Sequence, residues 1–215
     1  MTPSARPWLR LGVAAGPLYL GTGFTQAFLR EGFDVCRHAL SQLANGEFGW
    51  IQTANFVVSA FLVAGGALGL RRALAGSRGG AWGPALLFVY ALGLFGAALF
   101  PADPGNGFPP GTPPGVTKLS QSGLLHFVFG GLGFYALIAA CFVFSHRFRK
   151  VGRSGWAAFS ALTGAFFFVS FAAVASGSKD PLVLPVFYVA IVGVWTWHAA
   201  LHVFALARPS PGPPG

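Results

Sequence analysis

Two groups of side chains in this sequence are of the types that carry out acid–base or metal chemistry. A carboxylate, an imidazole and a hydroxyl together can form a nucleophilic relay, and imidazole with carboxylate also suits zinc. Sequence spacing alone does not decide between these chemistries and a polar site that only binds a ligand. The groups are Asp34, His38 and Ser41 near the start of the chain and Asp103, Ser122 and His126 near its middle.

The motifs that would narrow this chemistry to one reaction are missing. No stretch fits the Gly-x-Ser-x-Gly elbow of serine hydrolases. His198 and His202 have the i, i+4 spacing of zinc ligands on one helix face, but only His146 is expected near them as a third ligand. Trp195 and Trp197 beside the pair favour an aromatic belt at the membrane interface instead. We therefore predict no metal and no cofactor, and leave open whether the protein is an enzyme.

The composition indicates where these residues are held. The chain is 54% hydrophobic and only 9% charged, whereas soluble domains carry about 25% charged residues. Six apolar segments without Asp, Glu, Lys or Arg are each long enough for the roughly 20 helical residues that cross a bilayer. The predicted fold is an all-α, polytopic membrane helix bundle with six transmembrane helices. The segments lie between Arg10 and Arg30, Glu47 and Arg71, Arg78 and Asp103, Lys118 and Arg147, Arg153 and Lys179, and Asp180 and Arg208.

Residues 1–208 are expected to form this single domain, followed by a disordered Pro/Gly tail at 209–215. The first apolar segment, Leu11–Leu29, exceeds the roughly 7–15 residues of a signal-peptide core, so we expect a retained helix. The net charge of +9 comes from short basic clusters between apolar segments rather than from one face, so we predict no nucleic-acid partner. Cys36 and Cys141 are expected at different depths, too far apart for a disulfide.

The basic residues also predict an orientation. Most of them fall on one side of the six segments, and the positive-inside rule places that side, with both termini, in the cytoplasm. The opposite side holds all five acids, which are Glu31, Asp34, Glu47, Asp103 and Asp180. The cytoplasmic set is Arg6, Arg10, Arg71, Arg72, Arg78, Arg147, Arg149, Lys150, Arg153 and Arg208, against Arg30, Arg37, Lys118 and Lys179 outside.

The two long outer loops differ in kind. In Gly32–Gly46, Asp34, His38, Ser41 and Asn45 recur at helical spacing opposite apolar residues, which predicts a short amphipathic helix at the outer interface. Phe100–Val116 is dense in Pro and Gly and is predicted to be a cap without regular structure. Buried polar residues are costly in lipid and usually face a cavity or a partner. The outer loops and the polar residues beneath them therefore predict a pocket open to the outside, or a network that only fixes helix packing.

At these outer stretches the sequence resembles a known family. Arg37–Leu43 (RHALSQL), Gly49–Gln52 (GWIQ), Phe100–Pro104 (FPADP) and Gly123–His126 (GLLH) are similar to the prokaryotic membrane proteins grouped as domain of unknown function 998. The likeness extends over about residues 10–206. It implies a six-helix bundle in a bacterial or archaeal cell membrane and no established activity. Family positions correspond to His38, Ser41, Gly49, Trp50, Asp103 and His126, while Gln42 stands where the family often has an acid.

We therefore predict a multi-pass protein of the bacterial inner membrane with an extracytoplasmic polar pocket. Besides the lipid bilayer, the partner chemistry that fits is a lipid or small amphiphile. Two alternatives remain open: a metal- or His-dependent enzyme acting on an amphiphile at the outer leaflet, and a small transporter. The pocket candidates are Asp34, His38, Ser41, Trp50, Gln52, Asn55, Asp103, Ser122 and His126.

Cysteine labelling tests the predicted orientation. With Cys36 and Cys141 replaced by alanine, S77C is expected to be protected from a membrane-impermeant maleimide in intact cells, because Ser77 lies in a cytoplasmic loop. G107C lies in an outer loop and is expected to react. The reverse pattern would contradict the orientation.

Overall fold

A computed structural model describes residues 5–77, 80–115 and 118–207. Six long α-helices and one short 3-10 helix make up its regular structure, with no strand among the described residues, so the predicted all-α bundle is confirmed. The 3-10 helix, Leu40–Ala44, lies between the first two α-helices. The α-helices are α1 (Arg6–Leu29), α2 (Gly49–Ala73), α3 (Trp82–Leu99), α4 (Gln121–Lys150), α5 (Ser154–Ala175) and α6 (Val183–Leu206).

Five of the six α-helices, α2 to α6, are long and apolar enough to cross a membrane. Their charged residues fall at or beyond the helix ends, as Arg71 and Arg72 do in the last turn of α2. Helix α1 has 24 residues, which is also enough to cross, but it is less apolar. Its one amide side chain, Gln26, is buried inside the bundle rather than exposed to lipid.

The helices pack in chain order, and α1 closes the arrangement by packing against α6 as well as α2. Glycines set the closest approaches. A methyl group on Gly93 of α3 would lie 2.7 Å from the Cα of Gly133 of α4, so the two backbones are in direct contact. Small residues that let helix backbones approach are typical of membrane bundles.

The two ends of the bundle differ in chemistry. We call the described loops 30–48 and 100–115 the cap, and the end of the bundle that carries them the cap end. The opposite end, with the basic residues that close α2 and α4, is the basic end. The cap holds most of the acidic residues, as the sequence indicates.

The predicted outer helix is present but shorter than the pattern suggested. Only Leu40–Ala44 is helical, as a 3-10 helix, and turns precede it. The pattern placed His38 on the polar side of this helix, and in the structure His38 is only 1% exposed and packs against Phe33 and Phe108. The reason is that backbone groups of the cap satisfy both of its ring nitrogens, so its burial leaves no polar atom without a partner.

The predicted tail, 209–215, lies outside the described residues, as do Arg78 and Arg208 of the orientation argument. Both cysteines are free, with Cys36 exposed in the cap and Cys141 buried in α4. Gly107 has a φ of +88°, which a cysteine adopts only with strain. The natural Cys36 is therefore the better reporter of the cap side in the labelling experiment.

A matched pair of glycines tests the helix contacts. Gly93→Ala places its methyl against the backbone of α4, and overpacking of this kind costs about 1–3 kcal/mol. The methyl group added by Gly130→Ala in α4 would have no atom within 4 Å. This substitution therefore only removes the flexibility of glycine, which usually stabilises a helix by about 0.5–1 kcal/mol. We expect G93A to lower the thermal unfolding midpoint in detergent and G130A to leave it unchanged or raise it. Equal midpoints would contradict the contact.

Candidate functional site

Side chains from the start of α4 and from the cap hold the chain that follows α3. Three consecutive carbonyl groups of that chain each accept a hydrogen bond from a different side chain, which fixes the backbone against α4. The bonds run from His126 Nδ1 to the Phe100 carbonyl (2.8 Å), from Ser122 Oγ to the Pro101 carbonyl (2.9 Å) and from Asn45 Nδ2 to the Ala102 carbonyl (3.0 Å).

Asp103 continues this contact at the N-terminus of α4. Its carboxylate accepts hydrogen bonds from the Ser120 backbone N–H, at 2.8 Å, and from the Ser120 hydroxyl. The same hydroxyl accepts from the Gly123 N–H at 3.0 Å and so caps the helix. A methyl group at Gly123 would collide with the carboxylate of Asp103, so any larger residue there would displace that carboxylate. Negative charge near a helix N-terminus is stabilising, and Asp103 is placed to supply it.

His38 joins the two loops of the cap. Its Nδ1 accepts from the Asp34 backbone N–H at 2.9 Å, and its Nε2 donates to the Asn106 carbonyl at 3.1 Å. This pair of partners fixes the tautomer with the proton on Nε2. Tyr188 of α6 donates to the carbonyl of His38 at 2.7 Å and ties the cap to the bundle. With both nitrogens engaged, His38 has no free lone pair for a metal or a proton.

Arg30, just after α1, holds the 3-10 helix in place. Its guanidinium donates to the carbonyls of Leu43, at 3.2 Å, and Asn45, at 2.7 Å. It also lies over the ring of Phe108, 5.3 Å from the centroid. Desolvation lowers the pKa of Arg30 from its usual value, yet the group starts so high that it stays charged at neutral pH. In the sequence, this role is indicated only by the presence of a basic residue on the side that holds the five acids.

Beneath the cap, four neutral polar side chains form a cluster between α1 and α2. We call it the amide cluster, and all of its members are buried. Gln26 Nε2 donates to Gln52 Oε1 at 2.9 Å, and Asn55 Nδ2 donates to the same oxygen at 3.2 Å. Ser59 Oγ donates to Asn55 Oδ1 at 3.4 Å. The cluster therefore brings together Gln52 and Asn55, two of the predicted pocket residues.

Backbone carbonyls of α1 fix which way these amides point. Gln26 Nε2 also donates to the carbonyl of Thr22, at 3.2 Å, and Asn55 Nδ2 donates to that of Tyr19, at 3.1 Å. Because a carbonyl accepts only from a donor, the atoms facing these two must be nitrogens, and Gln52 must turn its oxygen toward both. Two fully buried atoms then have no partner in the described structure: the acceptor Gln26 Oε1 and the donor Gln52 Nε2.

The predicted site residues thus fall into three separate places. Asp103, Ser122 and His126 surround the start of α4, while Asp34 and His38 lie in the cap and Gln52 and Asn55 in the bundle. Ser41 is half-buried in the 3-10 helix, and Trp50 is 67% exposed at the start of α2. Sequence patterns did not single out Arg30, Asn106 or Tyr188.

The role of His38 in the cap leads to a prediction. His38→Ala removes both bonds to backbone groups, each loss costing about 1–3 kcal/mol for a buried group. We expect amide hydrogen exchange at Gly105 and Asn106 to rise at least about tenfold, because about 1.4 kcal/mol corresponds to a factor of ten. Trp50→Ala removes an exposed side chain at the start of α2, shortly after the loop that contains His38, and is expected to leave that exchange unchanged. Equal rates in H38A and the wild type would contradict the role.

Comparisons with known proteins place the chain by family rather than by activity. The family described as "Protein of unknown function (DUF998)" matches residues 13–203. A search of curated proteins and a search of solved structures each gave no match. The match spans α2 to α5 completely and most of α1 and α6, together with the whole cap, so the family includes the fold and the cap as one unit. This chain is a member of the DUF998 family of proteins of unknown function.

Proposed function

We propose that this membrane protein binds an uncharged hydroxyl- or amide-bearing group, the head of a lipid or small amphiphile, at the amide cluster. The observation that carries the proposal is the pair of unpartnered buried atoms, Gln26 Oε1 and Gln52 Nε2. A buried donor or acceptor without a partner costs about 1–3 kcal/mol. One hydroxyl or amide group in a ligand both donates and accepts, and therefore matches this pair.

The side chains of the cluster favour a ligand without charge. Gln26, Gln52, Asn55 and Ser59 are all neutral at every physiological pH. Bringing an ion into such a site costs several kcal/mol unless a counter-charge accompanies it. A hydroxyl or a carboxamide carries no such penalty, and the amide cluster supplies its hydrogen bonds.

The surroundings favour an amphiphile that arrives from the cap end. Leu40 of the 3-10 helix is buried over Gly23 of α1, next to Asn55, so the cluster lies directly beneath the cap. Phe28, Leu29 and Trp50, at the cap ends of α1 and α2, are widely exposed on the protein surface. An apolar chain lying on that surface would leave its polar head beside the cluster. With the basic end in the cytoplasm, this is the outer leaflet of the bacterial inner membrane.

The enzyme alternative has less support. His38 is held by backbone groups at both nitrogens, Asp103 is held by Ser120, and Ser122 donates to a carbonyl. A general base or nucleophile needs a lone pair or proton directed at a substrate. In addition, no group of three or more His, Cys, Asp or Glu suited to a metal occurs within the described ranges.

Analysis of copurified molecules tests the proposal. Wild-type protein purified in mild detergent is expected to carry a stoichiometric uncharged amphiphile, detected by native mass spectrometry and by analysis of the extract. Gln26→Leu/Gln52→Leu removes both unpartnered atoms together with their mutual bond, and is expected to lose the bound mass. Thr25→Val alters an exposed neighbour on the same helix and is expected to retain it. An empty wild-type protein, or equal occupancy in all three, would contradict the proposal.

A further inference from the structure

A second set of unpartnered polar atoms lies in the half of the bundle nearer the basic end. His198 and His202 of α6 are 1% and 0% exposed, and their ring centroids are 4.4 Å apart. His202 Nδ1 bonds to the carbonyl of His198 at 2.7 Å. The His198 ring also lies close to the backbone of Gly12 and the His202 ring close to that of Gly66, but none of the other three ring nitrogens makes a hydrogen bond of good geometry in the described structure. A neutral imidazole always presents one donor and one acceptor, so this pair retains unused hydrogen-bonding capacity.

Two glycines make room for this pair between α1 and α2. A methyl group on Gly12 of α1 would collide with the ring of His202, and one on Gly66 of α2 would lie 2.6 Å from His202 Nε2. Any side chain at either position would therefore displace the imidazole. The sequence places an imidazole, rather than an apolar residue, at the point where three helices meet.

The histidine pair and the amide cluster lie along the same junction of α1, α2 and α6, which we call the seam. Gly12 precedes Gln26 by about four turns of α1, or about 21 Å at a rise of about 1.5 Å per residue. Between the two levels, Tyr19 of α1 stacks on Trp195 of α6 with centroids 4.6 Å apart. Trp195 in turn lies edge-on to His198 at 5.7 Å. Aromatic rings therefore separate two polar sites at opposite depths.

The chemistry of the seam selects the kind of molecule that fits it. Its polar groups are amides, a hydroxyl and imidazoles, and no Asp, Glu, Lys or Arg is buried among the described residues. An ion would find no counter-charge at either level, and a divalent metal would find only two ligands. An uncharged solute with hydroxyl or amide groups would find donors and acceptors at both.

We propose that the histidine pair is a second binding site for such a small uncharged solute, and that the two sites are the ends of a route across the bundle. The route shares the amide cluster with the function proposed above, but adds a second site and a free solute. The Tyr19–Trp195 stack closes it at mid-depth in this structure. Passage requires a second conformation in which the seam opens toward the basic end, as in transporters whose halves open in turn.

Chemical modification of histidines in vesicles tests whether the seam opens. Two other histidines of the chain serve as controls. His146 is exposed, whereas His38 is as buried as the pair but has both nitrogens bonded. A minor conformation is typically populated at about 0.1–10%, so diethyl pyrocarbonate should modify His198 and His202 about 10- to 1,000-fold more slowly than His146. Both should still react measurably faster than His38. Rates for the pair no higher than that of His38 would overturn the proposal.

Glycerol flux then distinguishes a route across the bundle from an opening that merely lets water reach the histidines. Vesicles with wild-type protein are expected to swell faster in glycerol than protein-free vesicles, and His198→Phe/His202→Phe is expected to lose the increment. Circular dichroism confirms that the variant is folded, and G130A, with no neighbour at its methyl group, is the matched control. Reactive histidines without glycerol flux would overturn the route. Flux without a copurified amphiphile would support the route while contradicting the function proposed above.

Discussion

Lipid offers no hydrogen-bond partners, and most features of this protein follow from that constraint. Every polar group within the membrane must be satisfied inside the bundle or excluded from it. Charged side chains are accordingly kept to the helix ends, while the neutral polar residues of α1, α2 and α6 face one another along the seam. Buried polar atoms of four seam residues, Gln26, Gln52, His198 and His202, are left without a hydrogen-bond partner in the described structure, and the proposals above assign their partners to a bound molecule.

The cap satisfies its backbone polar groups in the same way at the membrane surface. The Pro/Gly-rich loop after α3 cannot satisfy its carbonyls in regular structure, so Asn45, Ser122 and His126 donate to them instead. Residues that look catalytic in the sequence thus bind backbone. This gives them a physical role that needs no substrate, and it moves the most promising site from the cap to the neutral amides beneath it.

The bundle was predictable because charge-free apolar segments of membrane length have almost no other stable structure. The cap was less so. Helical spacing placed His38 with Asp34 on one polar face, but only one of the two bonds to its ring, from the Asp34 backbone N–H, is local, and the other goes to Asn106, far away in the sequence. Gln52 and Asn55 were identified from their cost in lipid, whereas the orientation of their amides depends on the carbonyls of Thr22 and Tyr19. Such long-range partners leave no periodic signal in one sequence.

The central claim is that the amide cluster binds an uncharged polar group. A high-resolution density map of the wild-type protein in lipid nanodiscs tests it most directly, because it shows what lies beside Gln26 Oε1 and Gln52 Nε2. The account predicts density that contacts both atoms and continues as a larger molecule than water. The two atoms paired with each other, or a single isolated water between them, would contradict it.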